Sequence, residues 1–149
     1  WLPIAYGIRS LQDVLLQNEI PVSLPVIVIG VFFVFAGIIL HMWTARLLGI
    51  KATVGYAELK PEADENDGSL VISGPFSVVR HPSYGAHSLI LVGTFLITGI
   101  IAVGIMTLID LLIAYFVTIE LEERELLERF GDQYEKYRMK VPKFFPKIS

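Results

Sequence analysis

Two short runs hold the side chains best suited to chemistry: Arg80-His81-Pro82-Ser83-Tyr84, and the acidic series Glu120, Glu122, Glu123 and Glu125. A guanidinium and an imidazole facing carboxylates would suit a zwitterionic ligand, with charges of both signs against an apolar wall. Pro82 fits the first turn of a helix, where its missing N–H does no harm, and the exposed amides there can receive an anion. The plainer alternative has Arg80 and His81 as snorkelling interfacial cations and the glutamates as the solvated end of a helix. With no cysteine in the chain, thiolate nucleophiles, disulfides and thiolate metal sites are excluded. The three histidines are too far apart in sequence to make a metal site. A net charge of only -3 argues against a nucleic acid as partner.

The elements that must position these runs are membrane helices. The mean hydropathy of +0.61 is too high for a soluble domain of 149 residues, and the chain reads as one all-α, polytopic domain with about three transmembrane helices. Residues 24–48 supply the first span, uncharged from Leu24 to Leu40. From Leu89 to Ile119 the single charge is Asp110, and this length of apolar sequence suits two short spans joined by a tight turn. Thr98, Gly99 and Gly104 mark that turn, which predicts a helical hairpin over 83–120, with arms at 83–97 and from Ile101 into Glu120. The second arm is expected to continue as an amphipathic helix, since Leu126, Leu127 and Phe130 recur at helical spacing up to Gly131. Residues 121–149 then form a helix and tail. Residues 1–20 pattern as an amphipathic interfacial helix or the end of a further span, and 49–80 as a solvated loop with the acidic run Glu62, Asp64, Glu65 and Asp67.

With three spans, Arg9 falls on one side of the bilayer and every other Lys and Arg on the opposite side, including Arg46, Arg80, Arg124, Arg129 and Lys143. That asymmetry predicts a cytoplasmic loop and C-terminus, and the hairpin returns the acidic series to the level of Arg80 and His81. Asp110 lies deep in the apolar run, where an acid is costly and is expected to face protein or a polar cavity; helix packing is the simpler role for it. His87 reads equally as a packed polar residue or a pocket residue. His41, Trp43 and Arg46 close the first span as an interfacial anchor or as a wall of the pocket. Phe144 and Phe145, between Pro142 and Pro146, are placed to dock the tail back over the site.

The wording of these runs carries a resemblance. Gly74-Pro75-Phe76-Ser77-Val78-Val79-Arg80-His81-Pro82-Ser83-Tyr84, then Glu122-Glu123-Arg124-Glu125-Leu126-Leu127, then Phe130-Gly131-Asp132-Gln133-Tyr134-Glu135-Lys136-Tyr137 and Val141-Pro142-Lys143-Phe144-Phe145-Pro146, resembles the isoprenylcysteine carboxyl methyltransferases and their phospholipid methyltransferase relatives from about Leu47 onward. The ordered set is specific where an Arg-His-Pro triplet alone is not.

The resemblance implies methyl transfer from S-adenosylmethionine to a lipophilic acceptor entering from the bilayer, with a prenylcysteine-like carboxylate or another isoprenoid or lipid as substrate. It implies cofactor binding by His81, Pro82, Tyr84, Glu122 and Glu123, and catalytic roles for Arg80 and His81. On the same analogy Arg80, Lys143 and Trp43 flank the substrate, Arg80 meeting either an acceptor carboxylate or that of the cofactor. A carboxylate acceptor needs no general base, whereas an amine can need a Glu or His81. Lys143 stands where the family carries Arg, a point charge in place of a planar bidentate donor. The absence of a Gly-x-Gly-x-x-Gly turn and of alternating strands and helices fits cofactor binding without a Rossmann domain. Two other readings stay open: an NADPH-dependent sterol-reductase-like oxidoreductase, which shares an Arg-x-Pro-x-Tyr segment but has Asn at the position of Ser83, and a membrane scaffold without catalysis.

Overall fold

The computed structural model describes residues 18–48 and 70–144. Their regular elements are all helical: α1 (Leu24–Leu48), a 3-10 turn (Gly74–Ser77), α2 (Pro82–Thr98), α3 (Ile101–Phe130) and α4 (Asp132–Lys140). The predicted hairpin is α2 and α3. Thr98 ends α2, and Gly99 turns the chain with φ 65°, a left-handed conformation that glycine adopts without a Cβ clash. Gly104, expected at the turn, instead lies inside α3, where its bare backbone accommodates the ring of Phe95. The acidic loop, the amphipathic reading of residues 1–17, Phe145 and Lys147 fall outside the described residues.

α1 and α3 are long and apolar enough to cross a bilayer, and most of their surface is outward-facing Leu, Ile, Val and Phe. The 17 residues of α2 rise about 26 Å, slightly less than the hydrocarbon thickness of about 30 Å. α2 packs along α1 through small residues. A Cβ on Gly93 would stand 2.6 Å from the carbonyl oxygen of Gly30, and one on Gly37 would stand 2.7 Å from that of Ala86. Between apolar helices in lipid, such close backbone approach replaces the hydrophobic drive available in water.

α3 is not uniform. Ile101–Ile113 and Ile119–Phe130 are α-helical, joined by a π turn at Ala114–Thr118. The inward positions step from Thr107 through Asp110 to Ala114 at helical intervals, then jump five residues to Ile119 and on to Glu123. The extra residue of the π turn re-registers the helix so that Ile119 and Glu123, both buried, face inward. The apolar part of α3 ends at Ile119, and the charged remainder continues past it.

Backbone pairing closes both ends of the hairpin. At the turn, Ile20 N–H donates to Gly99 O and Ile101 N–H to Asn18 O, so residues 18–20 are extended rather than the end of an interfacial helix. At the open end, Arg80 N–H donates to Pro142 O and His81 N–H to Lys143 O, which lays the tail across the start of α2.

The close α1–α2 contact is testable. Gly93→Ala should lower stability by about 1–3 kcal/mol through overpacking. Gly85→Ala, where a Cβ meets nothing within 4 Å, should be neutral or stabilising by up to about 1 kcal/mol. Thermal melts of the two variants in one detergent check this; equal midpoints would contradict the packing described.

Candidate functional site

Pro82 opens α2 as predicted, with His81 at the cap position, and both residues are buried. Arg80, just before them, donates from Nε and Nη2 to Glu123 Oε1 at 3.0 and 2.7 Å. Its Nη1 donates to the carbonyls of Arg138 and Val141 at 2.9 and 3.1 Å. One guanidinium thus ties α2 to α3 and to the end of α4, using a fork of donors that a lysine lacks. His81 Nε2 lies 3.0 Å from the same Glu123 oxygen, and its Nδ1 lies 3.4 Å from Glu122 Oε2. Lys143, carried in by the paired tail, reaches Glu120 by a short ion pair and Glu123 Oε2 at 3.6 Å.

Sequence reasoning is matched in the convergence of Arg80, His81, Pro82, Glu122, Glu123 and Lys143. Tyr84 stands edge-on to His81 with ring centroids 5.9 Å apart. Phe144 docks as expected, stacked on Tyr115 at 5.6 Å and lying 6.2 Å from the His81 ring. Trp43 stands apart from the ion pairs: half exposed, its indole packs beside Gly74 at the end of α1. Arg80 and Lys143, both expected to flank the substrate, are held by glutamates here.

Three participants carried no role in the sequence reading. Tyr115 lies in the π turn, with the Lys143 ammonium 5.9 Å from its ring; nothing in an apolar run announces which aromatic will meet the tail. Tyr134 is fully buried in α4, and Tyr137, one turn on, donates its hydroxyl to Phe76 O at 2.6 Å. The Tyr-x-x-Tyr spacing placed both on one helix face, and this was the available signal for them.

Burial raises the pKa of Glu123, but hydrogen bonds from His81 and Arg80 and the charges of Arg80 and Lys143 outweigh it, holding this carboxyl below its ordinary value. At Lys143 burial works against the ammonium, and the Glu120 hydrogen bond with the two neighbouring carboxylates keeps its pKa raised. Burial, then the charge of Glu123, pushes the Tyr134 phenol up, and burial pushes Tyr137 up to about 12, so both are neutral donors. Two buried polar atoms lack a protein hydrogen-bond partner among the described residues, Glu122 Oε2 and Tyr134 Oη. The three glutamates exceed the two permanent cations that face them. The arrangement is therefore built to take up a cationic, hydrogen-bonding group.

A family model described as phospholipid methyltransferase matches residues 25–133. The chain is 33% identical over 109 residues to the cobalt-zinc-cadmium resistance protein CzcN of Cupriavidus metallidurans, covering 71% of this chain and 50% of that protein. It is 31% identical over 99 residues to the protein-S-isoprenylcysteine O-methyltransferase of Schizosaccharomyces pombe, covering 66% and 42%. It is also 31% identical over 80 residues to the nickel-cobalt-cadmium resistance protein NccN of Alcaligenes xylosoxydans xylosoxydans, covering 54% and 37%. The chain thus spans half or less of the length of these relatives, and no solved structure matches it. The family match takes in both bilayer-length helices, the Arg80–Glu123 pair and the start of α4. This chain is an integral membrane protein of the phospholipid methyltransferase family.

Proposed function

We propose that the chain is the S-adenosylmethionine-binding part of a membrane methyltransferase that alkylates a lipophilic acceptor delivered from the bilayer. One observation carries this reading: a net-negative cluster at the open end of the hairpin keeps Glu122 Oε2, at ion-pair distance from His81, and Tyr134 Oη buried without a hydrogen bond among the described residues. An ammonium and a sulfonium suit that charge, and ribose or amino donors suit these two oxygens. S-adenosylmethionine, when bound, supplies an electrophilic methyl group and needs only an aligned nucleophile in a dry site.

The protein's own contributions follow from the contacts. Glu122 binds the cofactor's ammonium. Glu123, held by Arg80, sets the position and orientation of the His81 ring. Tyr84 and Phe144 cover that ring and exclude water. Arg80 is a positioning residue, all four of its hydrogen bonds being directed at protein. Lys143, three-quarters buried on a tail segment, is the cation able to exchange Glu120 for an acceptor carboxylate. A prenylcysteine-like carboxylate is the first acceptor to examine, by similarity to the yeast relative, with Trp43 flanking its path. The excess of basic residues at this end of the bundle supports a site on the cytoplasmic face.

The binding assay uses the solubilised chain. S-adenosylhomocysteine should bind with a Kd on the order of 1–100 μM, and His81→Ala and Glu122→Gln should each weaken it by about tenfold, or roughly 1.4 kcal/mol. Because Glu122 is 40% exposed at its side chain, Glu122→Gln should leave the thermal midpoint nearly unchanged. Unaltered affinity in both variants would remove the assigned site, and selective binding of NADPH would replace the enzyme class.

A pH series tests the electrostatics. A carboxyl whose folded pKa is depressed stabilises the fold above its unfolded pKa, here 4.5, and that contribution disappears as pH falls through the lower folded value. The stability advantage of wild type over Glu123→Gln should therefore be constant from about pH 7 to 5.5 and shrink below about 4.5. An advantage that persists undiminished to pH 3 would contradict the assigned charge on Glu123.

A further inference from the structure

One polar contact lies outside the cluster, deeper in the apolar part of the hairpin. His87 Nε2 on α2 and Asp110 Oδ2 on α3 approach to 3.3 Å, with side chains 50% and 44% exposed. An ionisable pair at such depth is expensive when half of each side chain meets hydrocarbon, and a purely structural clamp would be covered. Its position is not random. On α2, Tyr84 is one turn from His81 and one turn from His87, so it borders both, while His81 and His87 themselves stand about 120° apart around the helix. On α3, Asp110 belongs to the inward line that passes through Ala114 and, across the π turn, reaches Ile119 and Glu123. The pair bridges the same two helices as the cluster, about 9 Å farther along α2 at 1.5 Å per residue.

We propose that His87 and Asp110 form a recognition site for a hydroxyl or amine on the bilayer-borne acceptor. This inference rests on the methyl-transfer reading and names a polar group that the acceptor carries between these two helices. Nε2 faces Asp110 at ion-pair distance, which leaves Nδ1 of a neutral imidazole and the second carboxylate oxygen as acceptors. Neither atom has a described hydrogen bond or ion pair. Two acceptor atoms side by side select a hydrogen-bond donor and disfavour a carboxylate at this depth. The group bound here is thus distinct from any carboxylate that Lys143 takes up at the polar end.

The test uses the full chain in lipid nanodiscs, with tritiated farnesol as the probe and unlabelled farnesylamine and farnesoic acid as competitors. Farnesol and farnesylamine should compete at concentrations at least tenfold lower than farnesoic acid. Asp110→Asn should bring farnesylamine and farnesoic acid within threefold of each other, and His87→Phe should weaken farnesol binding fivefold or more. Equal competition by the three isoprenoids at wild type, or a preference retained in both variants, would overturn the proposal. So would failure of both variants to give monodisperse helical protein, since the pair would then be a folding clamp. S-adenosylhomocysteine binding is measured on the same wild-type preparation. If it is absent while the farnesol preference persists, the methyl-transfer reading fails and the recognition site stands.

Discussion

The structure depends on the pairing of Arg80 with Glu123. Each side chain is about nine-tenths buried, and a guanidinium or carboxylate in such a place is tolerable only when its hydrogen bonds are nearly complete. Arg80 meets that condition by donating to a carboxylate on α3 and to two carbonyls at the end of α4. Glu123 meets it by accepting from Arg80 and lying within reach of His81 and Lys143. Removing either partner would leave the other charged and buried, a loss of about 3–5 kcal/mol. The helices in lipid have little hydrophobic reason to keep their polar ends together. This pair supplies one.

The π turn in α3 serves the same constraint from the other side. A regular helix continued from Thr107 and Ala114 would bring Thr118 inward and rotate Glu123 away from Arg80. One extra residue in Ala114–Thr118 restores Ile119 and Glu123 to the inner face and turns Tyr115 toward Phe144. The tail is then held three ways: by its backbone pairing with Arg80 and His81, by Phe144 on Tyr115, and by Lys143 on Glu120. Site and fold are thus one construction, in which the ion pair and the re-registered helix together bring His81, Glu122 and Tyr134 to a common place.

Much of this was legible in the residues. The charge-free run from Leu24 gave α1 with its observed ends, Gly99 gave the turn, and the Arg-His-Pro run with the paired glutamates gave the two walls of the site. What could not be read has physical causes. An apolar stretch of this kind has no hydrophobic period, so the π turn and the stacking of Tyr115 on Phe144 left no trace in the pattern. Gly104 looked like a turn because glycine marks both bends and close contacts, and here Phe95 explains it. Arg80 was assigned to a ligand because its type and position suit an anion, whereas the tail carbonyls that occupy it are distant in sequence. Asp110, expected to face protein or a polar cavity, meets His87 one helix away, with 44% of its side chain still exposed.

The most direct measurement of the central claim is a double-mutant cycle on Arg80→Met and Glu123→Gln, with unfolding free energies determined in one detergent. A coupled buried pair predicts that the two losses are strongly non-additive, with an interaction energy of at least about 2 kcal/mol. Losses that add to within about 0.5 kcal/mol would mean that Arg80 and Glu123 act independently, and the account of how this end of the hairpin is assembled would be wrong.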